Sequence, residues 1–186
     1  PTIWRPAPQG PDPAFLDQIL DDLGRTQCID TARVHMAGFS VGAALAAAYA
    51  CAREDVIASI VTVTVEAPAG CTQPMPILSF HGTADPVIAY GNFDPAVGAV
   101  TGTEANMATW AQTAACQPTP TVTEVGSEVT RLEWPDCGDD AEVVLYRIIG
   151  GGHDWPGEDP ATAVVPSTQQ VIATEEALDF YARHHR

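Results

Sequence analysis

Residues 33–52 read Arg33-Val34-His35-Met36-Ala37-Gly38-Phe39-Ser40-Val41-Gly42-Ala43-Ala44-Leu45-Ala46-Ala47-Ala48-Tyr49-Ala50-Cys51-Ala52. A short apolar run over Arg33–Phe39 predicts a strand, and the alanine-rich stretch from Val41 to Ala52 predicts a helix that neighbouring elements can approach closely. Between them lies Gly38-Phe39-Ser40-Val41-Gly42, the Gly-x-Ser-x-Gly pattern. In a strand-turn-helix context, small flanking residues let the chain turn sharply and lift a serine hydroxyl clear of the sheet. Taken alone, the pattern also describes a tight Gly/Ser turn with no chemistry.

Working outward, Asp12 and Pro13 ahead of Phe15, Leu16, Ile19, Leu20 and Leu23, with Gly24 behind, predict an amphipathic helix over about 13–23. Near-continuous β-branched or apolar runs at Val56–Val65, Pro76–Phe80 and Val143–Ile149 predict strands buried on both faces, which suits a parallel sheet. Helices are expected over about 103–115, capped by Thr103, and over about 174–184. Residues 82–102 and 150–168 are rich in Gly, Pro and Asp and read as loops after strands, where sites of open α/β sheets sit. No repeat or linker divides residues 1–186, which are expected to form a single α/β catalytic domain.

The composition narrows the function classes. With 24 acidic against 8 basic residues and no lysine, the net charge of −16 disfavours nucleic acid and anionic lipid as partners, because both require a cationic patch. Apolar residues make up 46% of the chain, enough for a core, yet no apolar run reaches the length of a membrane span. The 5 cysteines show no Cys-x-x-Cys spacing and point to an oxidising, extracellular compartment, any leader having been removed or never present. Cys116 and Cys137 bracket a Pro-, Thr- and Ser-containing stretch and are expected to pair, contributing roughly 3 kcal/mol. Cys28, Cys51 and Cys71 remain an odd set, leaving one thiol free or with a partner outside this chain.

A serine nucleophile needs a base, and the base needs an orienting carboxylate. His81-Gly82-Thr83-Ala84-Asp85-Pro86 follows one strand, and Gly150-Gly151-Gly152-His153-Asp154-Trp155-Pro156-Gly157 follows the last. The order Ser40, Asp85, His153 is the α/β-hydrolase order of nucleophile, acid and base, each after a separate strand. Asp154 is the weaker candidate for the acid and reads as a solvated loop carboxylate. His81 with Asp85 is too small a set for a metal site, and neither metal nor cofactor is expected. His35 reads as a core histidine, and Trp4 and Trp134 as packing. Val41 N–H is the expected oxyanion donor, and Phe39, Tyr90 and Trp155 are candidates for contacting substrate.

The stretches His81–Val87 and Gly151–Gly157, with Cys28, Cys51, Trp110 and Cys116, resemble the poly(3-hydroxybutyrate) depolymerase and feruloyl esterase group of secreted serine hydrolases, from about residue 11 to 186. The chain departs from that group at Ser40-Val41-Gly42-Ala43, where Ser-Asn-Gly-Gly is usual. The resemblance implies a truncated α/β-hydrolase fold, with a mostly parallel sheet lacking the first strands and one oxyanion donor. It also implies a carboxylic ester hydrolase acting through an acyl-enzyme. Polyesters, either polyhydroxyalkanoate or poly(ethylene terephthalate), are the expected substrates, with feruloyl or acetyl esters of plant cell-wall polysaccharide as the alternative and a non-catalytic relic as a third reading. Four main strands are expected, with an open edge on the nucleophile strand. That edge is to be covered by residues 1–10, which could also donate an amide, or by a homodimer partner.

Overall fold

A computed structural model describes residues 3–7, 10–91, 102–161, 163, 165 and 167–186. The segments expected to form loops (82–102 and 150–168) and the N-terminal cover (1–10) therefore lie partly outside the described residues. Six strands form one sheet: β1 (His35–Phe39), β2 (Ser59–Val63), β3 (Ile77–Gly82), β4 (Thr121–Glu124), β5 (Val129–Trp134) and β6 (Val143–Ile148). Their order is β1-β2-β3-β6-β5-β4. The first four in that order run parallel, while β5 and β4 are antiparallel additions beyond β6. The helices are α1 (Pro11–Thr26), α2 (Val41–Ala52), α3 (Thr103–Thr113) and α4 (Ala173–Arg183).

Two of these strands correct the expected four. The β4–β5 hairpin occupies the stretch read as a Pro-, Thr- and Ser-containing loop. All four residues of β4 are exposed, so it carries no apolar alternation to betray it. The hairpin lies between Cys116 and Cys137, which form the expected disulfide. A second disulfide joins Cys51 to Cys71, and Cys28 is the free, exposed thiol. No helix among the described residues is long and apolar enough to cross a membrane.

β2, β3 and β6 bury both faces because helices flank the sheet on both sides, whereas the end strand β1 stays partly exposed. One core gathers Ile60 and Ile77 of the sheet with Tyr49 of α2 and Met107 and Trp110 of α3. The opposite core gathers Val61, Leu78, Phe80 and Val144 with Phe180 of α4. Alternate residues of each strand thus feed different cores, as the two-residue period of a strand requires. The α1 helix is longer than predicted, with Gly10 rather than Asp12 at its N-cap and Pro11 in its first turn. Its apolar stripe is wider than the face it buries: Leu16 and Leu20 pack on the core, whereas Phe15, Ile19 and Leu23 stay exposed.

β1 is an end strand of the sheet, as expected for the strand before the serine. Residues 3–7 add no strand to it. Instead the Trp4 ring lies 3.9 Å from the point where a Cβ on Gly42 would stand, against the first turn of α2. His35 is half-buried rather than fully interior, with Nδ1 2.8 Å from Ser59 Oγ and its ring stacked on Tyr181.

The carboxyl end of α4 is pinned by Glu142, just before β6. Its oxygens accept from Arg183 at 3.2 Å and lie 3.2 Å from His184 Nε2. Burial alone would raise the Glu142 carboxyl, but the His184 and Arg183 hydrogen bonds and charges outweigh it and bring the pKa down to about 2. A carboxyl lowered on folding stabilises above its unfolded value and ceases to do so as pH falls through its folded value. Glu142→Gln is expected to cost on the order of 2 kcal/mol at pH 7. The gap from the parent protein should shrink between about pH 4.5 and pH 2, as read by denaturant melts across that range.

Candidate active site

Ser40 stands between β1 and α2 with φ 55° and ψ −127°. A non-glycine residue rarely adopts this geometry, which costs on the order of 1–3 kcal/mol and persists only where its surroundings enforce it. Its amide donates to Val63 O at 3.0 Å, tying the turn to β2. The flanking glycines explain the rest of the motif. A Cβ on Gly38 would stand 2.2 Å from Gly42 O, so α2 can leave the strand this abruptly only if residue 38 has no side chain. Val41 is the first residue of α2, and its N–H belongs to the turn of helix amides that have no intrahelical partner.

The other two loops are sewn together. β3 and β6 are neighbours, with Gly82 opposite Ile148. Beyond that pair, Thr83 N–H donates to Ile148 O at 2.8 Å, Ala84 N–H to Gly151 O at 2.9 Å, and Gly150 N–H to Thr83 Oγ1 at 2.8 Å. A Cβ on Gly82 would fall 2.3 Å from Gly151 O, so the two backbones cross at van der Waals contact. Gly150, at φ 72°, supplies the left-handed residue that bends the chain back.

This crossing delivers Asp85 to His153. The His153 Nδ1 to Asp85 Oδ2 distance is 2.8 Å, with the Asp85 side chain fully buried and that of His153 16% exposed. Asp85 Oδ1 accepts the backbone N–H groups of Val87 (2.7 Å) and Ile88 (2.8 Å), which leaves Oδ2 for the imidazole. The Phe39 ring, adjacent to Ser40, lies 4.8 Å from the His153 ring. Among the described residues Ser40 and His153 form no hydrogen bond; such contacts often close only when substrate is bound.

A cleft of about 640 Å³ opens beside His153, lined by Phe39, Trp155, Glu158, Val165 and Thr174. Trp155 Nε1–H donates to Thr174 Oγ1 at 3.0 Å, which fixes the indole in the wall. Phe39 and Trp155 line this cleft, whereas Tyr90 does not. Tyr90 donates to Glu104 at 2.8 Å and meets the His81 ring in a T-shaped contact with centroids 5.4 Å apart. Asp154 is buried rather than solvated, and Asp85 is the carboxylate that meets His153. Thr103 is the first residue of α3, with Gly102 at the cap, and its hydroxyl goes to His81 Nδ1 at 2.9 Å instead. Sequence reasoning missed Glu66, a carboxylate 3% exposed with Oε2 2.9 Å from His81 Nδ1. An isolated Glu in Glu66-Ala67-Pro68-Ala69-Gly70 offers no spacing signal.

The sheet and its loops make this an α/β-hydrolase-like fold. The fold is similar to that of an acetyl xylan esterase from Aspergillus awamori, with TM-score 0.62 and 13% identity, covering 92% of this chain and 67% of that one. In sequence, the chain is 32% identical to feruloyl esterase C of Emericella nidulans over 78% of this chain and 51% of that protein. It is 28% identical to feruloyl esterase D of Neurospora crassa over 81% and 50% respectively. The chain thus spans about half the length of these curated relatives. No protein-family model matches it.

Two glycine substitutions test the geometric account of the turn. Gly38→Ala drives a methyl into the Gly42 carbonyl and is expected to lower stability by about 3 kcal/mol or more. Gly24→Ala in α1 meets nothing within 4 Å and is expected to raise stability by about 0.5–1 kcal/mol. Thermal melts of the two variants measure both.

Proposed function

We propose that this chain is the catalytic unit of a serine carboxylic ester hydrolase, with Ser40 as nucleophile, His153 as general base and Asp85 as the carboxylate that orients it. The observation that carries this reading is the Asp85–His153 hydrogen bond, built by interlocked loops beside a serine held in a strained turn. A fold kept only for binding has no need of either feature, which argues against a relic.

In the proposed reaction Ser40 Oγ attacks the ester carbonyl carbon while His153 Nε2 takes its proton. Asp85 Oδ2 accepts from Nδ1–H, fixing the tautomer and balancing the imidazolium. The carbonyl oxygen, now an anion, faces the Val41 N–H. Collapse breaks the bond to the leaving alcohol, which receives the proton from His153 and departs, leaving Ser40 acylated. Water then attacks the acyl carbon, His153 taking its proton, and Ser40 leaves with that proton as the acid product is released.

For substrate, feruloyl or acetyl esters of plant cell-wall polysaccharide are the better reading. The relatives are named feruloyl esterases and the structural neighbour an acetyl xylan esterase. Polyester hydrolysis, the leading expectation from sequence, finds no support among them. The aromatic walls supplied by Phe39 and Trp155 suit an aryl acyl group. The two disulfides support the expected extracellular setting.

A fluorophosphonate probe is expected to label the parent protein at Ser40 and to leave Ser40→Ala unlabelled. Ser40→Ala should lower kcat on nitrophenyl acetate by about 10⁴-fold or more, and Asp85→Asn by about 10²–10⁴-fold. Release of ferulate or acetate from xylan, with no soluble product from polyester film, supports the substrate reading. Failure of the probe to react with Ser40 removes the enzyme reading altogether.

A further inference from the structure

Asp85 has two histidines against it, and the proposed reaction uses only one. His81, next to the last residue of β3, has a fully buried side chain with Nε2 3.7 Å from the same Asp85 Oδ2 that binds His153. Its Nε2 is 3.0 Å from the carbonyl oxygen of Ile88, which can only accept, so Nε2 carries a proton. Its Nδ1 lies 2.9 Å from Glu66 Oε2 and 2.9 Å from Thr103 Oγ1. Set against a carboxylate oxygen, Nδ1 serves as a donor as well, so the ring donates from both nitrogens. Thr103 then accepts from the ring or donates elsewhere, because a hydroxyl serves either way.

We propose that His81 is a positioning residue, held as an imidazolium between Glu66 and Asp85, that clamps the Asp85 loop and keeps its carboxylate turned toward His153. This rests on the esterase reading above. Burial alone would lower the basicity of His81, but the Glu66 hydrogen bond and charge, the Ile88 carbonyl and Asp85 together raise it above its ordinary value. The loop is clamped by the same contacts: Ile88 O receives the His81 ring while Ile88 N–H donates to Asp85 Oδ1. The imidazole therefore fixes the residues that aim the acid.

The remaining groups around His81 do not supply a competing cation at Asp85. From α3, Asn106 Nδ2–H reaches Glu66 Oε1 at 3.4 Å, and Trp110 Nε1–H donates to the Glu66 carbonyl at 2.8 Å. Tyr90 makes a T-shaped ring contact, and its phenol is held protonated by burial and by Glu104. On β6 the register partner of His81 is Arg147, whose guanidinium is engaged by Glu104 at 3.1 Å. A positive ring behind Asp85 offsets part of the pull that this carboxylate exerts on the His153 imidazolium. Removing it strengthens that pull.

The test is the double variant His81→Gln/Glu66→Gln, which leaves neither buried charge without its partner. The expected result is a folded protein with kcat lowered roughly tenfold, KM within about twofold of the parent, and the acid limb of the kcat/KM profile moved up by roughly half a pH unit. A fall in melting temperature with the limb unmoved would make the pair a structural support only and overturn the proposal. Nitrogen-detected NMR of Ser40→Ala protein reads the imidazole without any turnover. Two ring N–H signals from His81 at pH 7 support the proposal, and a single neutral tautomer refutes it. Loss of the esterase reading would show separately, as absence of ester turnover and of probe labelling in the parent protein.

Discussion

The hydrogen bond between Asp85 and His153 depends on two backbones lying closer than any side chain permits. Gly82 and Gly151 meet where the loops after β3 and β6 cross, and two backbone hydrogen bonds with one to the Thr83 hydroxyl hold them there. The acid and the imidazole are thus not independent residues on independent loops. They are two ends of one stitched unit whose position is set by the parallel pairing of β3 with β6. Asp85 spends Oδ1 on its own loop and turns Oδ2 to the His153 ring, with the His81 ring behind it.

The serine reaches the same edge of the sheet by different physics. β1 is two strands from β3, and the turn after it is enforced by contact between Gly38 and the first turn of α2 rather than by hydrogen bonds to the other loops. The unfavourable backbone of Ser40 is held by this contact and by the amide bond to Val63. Strain at one point is sustained by packing around it, the arrangement expected where a side chain must be presented rather than buried.

What could be read from the sequence follows the same division. The turn at Gly38–Gly42 and the pairing of Asp85 with His153 were legible because glycine spacing and strand-loop alternation are local signals. The hairpin of β4 and β5 was not, since Thr121, Val122, Thr123 and Glu124 are all exposed and show no apolar alternation. Tyr90 looked like a wall of the cleft because aromatic residues in loops often are; its place beside His81 follows from tertiary packing alone. Glu66 was invisible for a related reason. Its significance lies in a partner 15 residues away within the next strand, and no spacing rule connects Glu66 to His81. Thr103 shows the converse, a residue with good capping chemistry whose hydroxyl goes to the buried His81 ring instead.

Because the serine rises from β1 and the imidazole from β6, three strand-to-strand steps separate them. Each step in a sheet carries a coil of roughly 20–25°, so the gap between hydroxyl and ring is set by an accumulated rotation of roughly 60–75°. Side chains deep in β2, such as Ile60 and Val61, govern that rotation through how they fill the layers on either side. Distant apolar substitutions there act as a fine adjustment of the site, opening or closing it without touching a polar atom.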